Sequence, residues 1–304
     1  MTDSLILCLD IGGTKIASGL ASPDGVLVHT LTCPTPPGAD AEQIWAAVAD
    51  LIAHTMTAAP DGVSGVGIGS AGPTDRAAGT VSPVNIASWR EFPLCDRVAE
   101  LLPGVPVWFA GDGICMALGE HWRGAGRGSR FMLGMVVSTG IGGGLIIDGA
   151  PVFGRTGNAG HVGHVIVEPD GADCACGGRG CVETVASGPS MVRWARAHGW
   201  AGADARALAV SAAAGDAVAL AAFDRSAAAL AAMIVSVAAV CDLDLVVIGG
   251  GVAKSGPLLF DPLRTALADR GGPSFVASLT VVPAELGGDA GLVGSARLAA
   301  GPLP

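Results

Sequence analysis

A carboxylate, paired glycines, a hydroxyl and an amine lie close together near the start of the chain, at Asp10, Gly12, Gly13, Thr14 and Lys15. They occupy the turn between two short apolar runs. Glycines let the main chain approach a phosphate closely and point its N–H groups at the oxygens. The neighbouring hydroxyl adds a donor, the amine adds a cation, and the carboxylate could hold Mg²⁺ through water. A tight hairpin with a polar tip is the simpler alternative. The turn is not a Walker loop, because the GxxxxGK[ST] spacing is absent.

A second glycine-rich turn, Ser138 to Gly144, also lies between two apolar runs and contains Thr139 and Gly140. This repetition of strand, Gly/Thr turn and strand favours phosphate binding over a simple hairpin at the first turn. It also indicates two lobes of related topology with a cleft between them. A third turn, Gly249 to Gly251 with Gly250 at its centre, follows an apolar strand. It suits either an adenine or ribose contact or an ordinary strand-to-helix turn.

A local cluster of cysteines, Cys174, Cys176 and Cys181, follows His164. Thiolates and imidazole at such spacings suit tetrahedral Zn²⁺, and four protein ligands leave no open position, so the predicted site is structural. His161, on the same short segment, is the competitor for the fourth position. Disulfides are the main alternative, and a cytosolic location argues against them. The same location makes the scattered cysteines inert core thiols.

The length, composition and charge of the whole chain limit the class of protein to which it can belong. At 304 residues it is long enough for two lobes, and with half of its residues apolar it is not a disordered chain. A formal net charge of -10 argues against a nucleic-acid partner, but not against ATP, whose phosphates backbone N–H groups can hold. The segment Met1 to Leu9 lacks the basic region and cleavage site of a signal peptide, so we expect a cytoplasmic protein. The most apolar stretch, Ser226 to Cys241, is too short to span a bilayer and predicts a buried helix, so no membrane partner is expected.

The elements around these residues predict an α/β fold. The first three predicted strands form an antiparallel meander, and the chain after Gly188 is mostly Ala-rich helix. We expect residues 1–112 to form a small lobe, completed by a C-terminal helix at 289–304, and residues 113–288 to form a large lobe with the zinc site. The predicted strands are Leu5–Ile11, Ile16–Ala21, Val26–Leu31, Val63–Gly69, Val105–Ala110, Phe131–Val137, Leu145–Ile147 and Leu245–Ile248, and the first helices are Ala41–Met56 and Gly113–Trp122.

In their order these motifs resemble those of the ROK family, named for repressors, open reading frames and sugar kinases. The resemblance covers essentially the whole chain. Besides the three turns and the cysteines, it rests on Asn85-Ile86-Ala87-Ser88-Trp89, on Gly157 to His164, and on Val182-Glu183. It implies an actin-like, hexokinase-like and ribonuclease H-like ATPase fold, in which two α/β lobes close over a cleft.

The resemblance also implies a kinase that transfers the γ-phosphoryl group of ATP to a hydroxyl of a sugar or sugar-like polyol. It implies that Asp112 is the catalytic base, that Asn85 and Glu183 contact the sugar, and that the zinc ligand His164 also reaches it. Dimers are common in the family, so we expect a homodimer. A helix N-cap is the simpler interpretation of Asp112; both can hold, because a cap position aims a carboxylate out of the sheet toward the cleft.

Two departures from the family pattern concern the substrate. Family kinases usually have Asn before the base, where this chain has Gly111, and Glu where this chain has His161. Both usual residues would bind sugar hydroxyls, so we expect an acceptor other than glucose: an unusual hexose, an amino sugar or a C7 cyclitol. A sugar-binding pseudokinase is the alternative. A ROK repressor is not expected, because its helix-turn-helix would precede a first turn that here begins at Asp10.

Overall fold

The structure is a computed structural model that describes residues 4–270 and 272–303. The first residues of the segment examined for a signal peptide, and the last residue of the predicted C-terminal helix, therefore lie outside the described residues.

The first half of the chain builds a five-stranded sheet in the order β3-β2-β1-β4-β7, with β4 parallel to both β1 and β7. Helix α1 begins at a capping box, because Asp40 accepts the N–H of Gln43 at 2.8 Å and Gln43 accepts the N–H of Asp40 at 3.1 Å. The elements are β1 (Leu5–Ile11), β2 (Lys15–Ala21), β3 (Leu27–Pro34), α1 (Ala41–Met56), β4 (Val63–Ser70), β5 (Thr74–Asp75), β6 (Thr80–Val81), α2 (Leu94–Leu101) and β7 (Val107–Gly111).

The second half builds another five-stranded sheet, in the order β10-β9-β8-β11-β12, with β11 parallel to β8 and β12. Each sheet is thus an antiparallel meander of three strands followed by two parallel strands, so the predicted two-lobed α/β fold is confirmed. The elements are α3 (Asp112–Arg123), β8 (Phe131–Val137), β9 (Ile141–Ile147), β10 (Ala150–Pro151), α4 (Glu183–Ala186), α5 (Gly188–Ala197), α6 (Ala205–Ala213), α7 (Ala217–Cys241), β11 (Leu245–Gly249), α8 (Pro257–Arg270), β12 (Thr280–Pro283) and α9 (Ala290–Ala299).

Helices α3 and α9 lie between the two sheets and pack closely on each other. A side chain at Gly119 of α3 or at Gly294 of α9 would overlap the main chain of the other helix, so glycine permits this approach. Helix α9 also packs on β1 and β4, while α3 packs on β8 and β9. This packing supports the proposal that the C-terminal helix completes the first lobe. The helix ends at Ala299, earlier than the predicted 304.

Strand β9 begins at Ile141, four residues before the predicted start at Leu145. The glycines that the sequence places in a turn are therefore part of the strand. Their small size serves packing, because a side chain at Gly144 would lie 2.6 Å from the Cα of Ile114, in the first turn of α3. A contact of this kind between distant segments has no signature in the sequence.

Helix α7 begins at Ala217, well before the predicted Ser226, because the side chain of Asp216 caps it by accepting the N–H of Ala219 at 2.8 Å. At 25 residues, with a mean hydropathy of 1.7 over its most apolar window, it is long and apolar enough to cross a membrane. The argument that this segment is too short is therefore wrong. In the structure α7 is a core helix that packs against α4, α5, α6 and α8.

Candidate active site and zinc centre

The carboxyl ends of the parallel strands β1, β4 and β7 meet at one edge of the first sheet. Asp10 pairs in register with Gly69 of β4, which pairs with Ala110 of β7. Asp112 follows β7 directly and is the first residue of α3. Two carboxylates from distant parts of the chain thus come to one edge, which is where ligands bind in open α/β sheets.

The pKa values of these two carboxyl groups are both raised above the ordinary value for aspartate. Burial raises the pKa of Asp10 to about 7; the charge of Asp112 adds to the shift and Lys15 opposes it. Asp112 is exposed to solvent, while neighbouring protein atoms still crowd its carboxyl group. This desolvation raises the pKa of Asp112, while the N–H of Gly113, which donates to Oδ1 at 2.7 Å, and the charge of His161 lower it part of the way. The helix N-cap is Gly111, so the interpretation of Asp112 as the cap residue is wrong by one position.

The first glycine-rich turn is the tip of the hairpin between β1 and β2. It is hydrogen-bonded to Thr35, the residue that follows β3. The N–H of Gly12 donates to the carbonyl of Lys15 at 2.9 Å, and the hydroxyl of Thr35 donates to the carbonyl of Gly12 at 2.6 Å. The N–H of Thr35 donates to the carbonyl of Thr14 at 3.1 Å. Thr35 was not singled out in the sequence, because no spacing connects a threonine after the third strand with the turn.

The loop that contains Asn85 is anchored by a buried aromatic pair. Trp89 is fully buried, stacks on Phe92 with ring centroids 4.3 Å apart, and donates its indole N–H to the carbonyl of Ala41 at 3.1 Å. Asn85 itself is exposed and lies over the first turn, since a methyl group on Gly13 would be 2.5 Å from its side chain. The structure thus brings Asn85 to the cleft.

The second and third turns meet at the carboxyl ends of β8 and β11. The N–H of Ser138 donates to the carbonyl of Gly140 at 2.9 Å and closes the turn around Thr139. Gly250 has φ +96° and lies so close to the carbonyl of Val137 that a side chain would not fit. The cleft therefore has glycine-rich turns at the strand ends of both sheets.

Glu183 is tied to the second turn. Its Oε2 accepts the N–H of Ile141 at 2.7 Å, and a methyl group on Gly140 would lie 2.7 Å from the same oxygen. Glu183 is the first residue of α4, just after the cysteine cluster. Its carboxylate therefore connects this segment with the start of β9.

His161 lies in the cleft and outside the cysteine cluster. Burial lowers the pKa of its imidazole, with the charge of Asp112 opposing this and His164 adding to it. A Cβ atom at Gly111 would meet none of the described residues within 4 Å apart from its chain neighbours, so there is free space beside Asp112. The small cavity here is lined by Gly111, Asp112, Gly113, Ile114, Gly142, Gly143, Gly157, Ala159 and His161.

The ligand atoms of His164, Cys174, Cys176 and Cys181 all lie within 4.8 Å of one another. The sulfur atoms of Cys176 and Cys181 are 3.8 Å apart, and Nδ1 of His164 is 3.7 Å from the sulfur of Cys174. A tetrahedron with zinc–sulfur bonds of about 2.3 Å has edges of about 3.8 Å, so the four residues fit Zn²⁺. Burial and the neighbouring thiols raise the pKa of Cys181 to about 12. Ionising this thiol therefore costs free energy, and a bound cation would remove that cost.

Two sheets of the same topology, with glycine-rich turns facing one cleft, define a protein of the actin-like ATPase fold. The sequence model of the ROK family matches residues 6–301, and the chain belongs to that family. A glucokinase from Thermotoga maritima is 37% identical over 96% of this chain and 96% of its own. An N-acetylmannosamine kinase from Citrobacter koseri is 34% identical over 97% of this chain and 98% of its own. The crystal structure of a ROK family glucokinase from Streptomyces griseus, in complex with glucose and AMPPNP, superposes with a TM-score of 0.84 at 36% identity, covering 97% of this chain and 98% of its own.

Proposed function

We propose that the protein is an ATP-dependent kinase that transfers the γ-phosphoryl group to a hydroxyl of a sugar or sugar-like polyol. The observation that carries the proposal is the place of Asp112, a carboxylate that lines a small cavity together with His161 and with Gly142 and Gly143 of β9, beside free space at Gly111. The kinases among its relatives, named for glucose and N-acetylmannosamine, support the same reaction class.

Phosphoryl transfer requires mainly positioning and neutralisation of charge. The N–H groups of Gly12, Gly13, Thr139 and Gly140 would hold the phosphates, the hydroxyl of Thr14 and the amine of Lys15 would add a donor and a cation, and Gly250 would lie flat against the adenosine. Asp10 would lie in the outer shell of Mg²⁺, which when bound neutralises phosphate charge.

Asp112 would accept the proton of the attacking hydroxyl as the new bond forms. The pKa of Asp112 is raised, so it lies closer to the operating pH than the pKa of an ordinary aspartate does. This favours acceptance of a proton by the carboxylate. Asn85, His161, His164 and Glu183 would surround the acceptor. One oxygen of Glu183 already holds the main chain at Ile141, so its other oxygen would face the substrate.

We further propose that the acceptor differs from glucose. Gly111 provides space beside the base, and His161 replaces a carboxylate with a ring whose lowered pKa keeps it largely neutral at pH 7. Such a wall suits an acceptor with an added neutral substituent or a shifted hydroxyl. An amino sugar in its N-acetylated form, an unusual hexose and a C7 cyclitol all meet this description, and the relative named for an N-acetylated amino sugar supports the first.

The remaining parts of the proposal concern assembly. One structural Zn²⁺ would be held by His164, Cys174, Cys176 and Cys181, fixing the segment that presents His164 to the cleft. We propose a cytoplasmic homodimer without nucleic-acid or membrane partners. Its lobes would be residues 1–112 together with the C-terminal helix, and residues 113–288.

A coupled assay of ADP release tests the proposal, with hexoses, N-acetylhexosamines, inositols and other cyclitols as acceptors and the variant Asp112→Asn as the blank. We expect at least one acceptor to give turnover above that blank. Binding of a sugar by calorimetry without ADP release from any acceptor would favour the pseudokinase instead. A kcat/KM for glucose at least as high as for every other acceptor would overturn the substrate proposal.

A further inference from the structure

The side-chain amide of Asn158 bonds to the main chain of Thr74 in both directions. The N–H of Thr74 donates to Oδ1 of Asn158 at 2.8 Å, and Nδ2 of Asn158 donates to the carbonyl of Thr74 at 2.7 Å. Because one donor and one acceptor of the same planar amide are both used, the amide has a single orientation. Thr74 is buried, so these bonds lie in a protected contact.

Asn158 belongs to the loop that joins β10 to the zinc segment, and Thr74 is the first residue of β5, which follows β4 of the first sheet. Further contacts join the same two segments. The N–H of Arg76 donates to the carbonyl of Thr156 at 3.3 Å, and the guanidinium of Arg76 stacks 4.0 Å from the ring centroid of Phe153. Arg76 also donates through Nε to the carbonyl of Phe109 in β7, at 3.3 Å. The loop is therefore docked on Thr74 and Arg76, and Arg76 connects it to β7, the strand that leads to Asp112.

The docked loop forms one wall of the cavity beside Asp112. Ala159 and His161, just after Asn158, line that cavity, and a methyl group on Gly72 would lie 3.3 Å from Nε2 of His161. The two lobes are thus joined within a few residues of the imidazole. Any displacement of Asn158 from Thr74 would move His161 relative to Asp112.

We infer that Asn158 is a positioning residue for the acceptor: its amide fixes the wall that carries His161 against the lobe that carries Asp112. The inference rests on the proposed function, since it assigns this wall to the acceptor. A general stabilising contact is the alternative, and it would affect the acceptor, the nucleotide and the melting temperature together.

Asn158→Ala removes both bonds to the main chain of Thr74, and also the 3.5 Å bond that the Thr74 hydroxyl donates to Oδ1. We expect the KM for N-acetylmannosamine or glucose, whichever the wild type accepts, to rise roughly 10-fold or more. The KM for ATP should stay within about 2-fold, and zinc content should not change. Asn158→Asp is the second variant: it keeps the bond from the Thr74 N–H but opposes the Thr74 carbonyl with a carboxylate, so we expect a rise in the acceptor KM here as well. Thr156→Val is the control, because it removes only the exposed 3.1 Å bond between Asn158 and the Thr156 hydroxyl.

Hydrogen–deuterium exchange separates this inference from the proposed function, because it needs no turnover. In Asn158→Ala the amides of residues 156–162 should exchange faster than in the wild type, while the turn at Gly12 to Lys15 should not change. If the wild type phosphorylates neither sugar, the best acceptor of the coupled assay takes their place. A wild type that phosphorylates none of those acceptors counts against the proposed function, and calorimetric affinity for the two sugars then replaces KM. Unchanged exchange overturns the docking. Faster exchange with an unchanged acceptor KM or affinity, or a parallel loss of ATP affinity and melting temperature, overturns the positioning role.

Discussion

Asp10 of β1 is in register, through Gly69 of β4, with Ala110 of β7, and Asp112 follows Ala110 by two residues at the same edge of the sheet. The charge of Asp112 contributes to the raised pKa of Asp10, after burial. At pH 7 the nucleotide-free protein therefore does not hold both groups fully ionised. In the proposed mechanism this arrangement separates two tasks that both need a carboxylate, since Asp10 lies just before the first glycine-rich turn and Asp112 lines the small cavity.

The substitution Asp112→Asn should abolish most turnover while the protein still folds and binds nucleotide. An amide has nearly the shape of the carboxylate but cannot accept the proton of the attacking hydroxyl, and loss of a general base typically costs ~10²–10⁴-fold. Steady-state kinetics with the best acceptor, and calorimetry with a non-hydrolysable ATP analogue, measure the two properties. A variant within a few-fold of wild-type turnover would remove Asp112 from the mechanism.

Asp10→Asn should stabilise the protein at pH 8 in the absence of nucleotide and Mg²⁺. The folded pKa of Asp10 is about 7, above the ordinary value of about 3.9 expected in the unfolded chain. Below pH 4 Asp10 is protonated in both the folded and the unfolded chain, so its ionisation does not alter the stability there and the substitution has no effect through it. As the pH rises toward 7 only the unfolded state ionises, so the wild type loses stability, and above 7 the loss is complete. We expect a melting temperature roughly 2 °C or more above the wild type at pH 8, and a difference that shrinks toward pH 4.5.

Asp24→Asn is the matched control for this measurement. Asp24 is exposed, and its pKa is lowered, chiefly by the hydroxyl of Ser22. Its charge therefore favours the folded state above the pKa of the unfolded chain, and its removal should not raise the melting temperature at pH 8. If Asp10→Asn is less stable than the wild type at pH 8, the attraction of Lys15 outweighs burial and the assignment fails.

Cys176→Ser should lower zinc content and melting temperature together. A serine hydroxyl is a much poorer zinc ligand than a thiolate, and binding of structural zinc contributes directly to folding. Elemental analysis of protein purified without chelator should give about one zinc per wild-type chain and much less for the variant, with a melting temperature about 5 °C or more lower. Cys241→Ser, outside the cluster, should retain the metal. Wild-type protein without zinc would contradict the assignment.

The local sequence pattern was sufficient to predict those helices and strands whose bounds depend only on their own residues. The helix Ala41–Met56 and the strands Leu5–Ile11 and Phe131–Val137 have the predicted bounds, because their apolar periodicity and flanking polar residues are unambiguous. The repeated turns also predicted the two related sheets. The early start of α7 depends on the cap at Asp216, and the extension of β9 depends on contact between Gly144 and α3. Periodicity does not encode such a contact.

The site was predictable to the extent that chemistry follows from residue type. The cysteine spacing and the glycine turns indicated ligands directly, and the structure brings His164, rather than His161, to the cysteines. The roles of Thr35, Thr74 and Asn158 depend on side chains that bond to distant main-chain atoms, for which no sequence pattern exists. Only the folded chain reveals them.

The last prediction concerns the acceptor: the double variant Gly111→Asn, His161→Glu should improve the use of glucose. The backbone at position 111 accepts a side chain, because it is extended at φ -63° and a Cβ there would meet none of the described residues within 4 Å apart from its chain neighbours. A regained neutral hydrogen bond is worth about 0.5–1.5 kcal/mol and one to a charged group about 1.5–3 kcal/mol. Together these amount to about 2–4 kcal/mol, so kcat/KM for glucose should rise roughly 30- to 1,000-fold with the KM for ATP nearly unchanged.

The single variants and the other acceptors complete this test. Each single change should recover part of the gain, and the sum of their effects should approach that of the double variant unless the two side chains bind the same hydroxyl. The acceptor that the wild type prefers should be used less well by the double variant, because the asparagine fills the space beside Asp112 that Gly111 leaves open. Water could instead already replace the missing contacts in the wild type, since a bridging water is nearly as favourable as a direct bond. In that case glucose is already a good substrate and the double variant gains nothing, which would show that Gly111 and His161 do not set the specificity of this cleft.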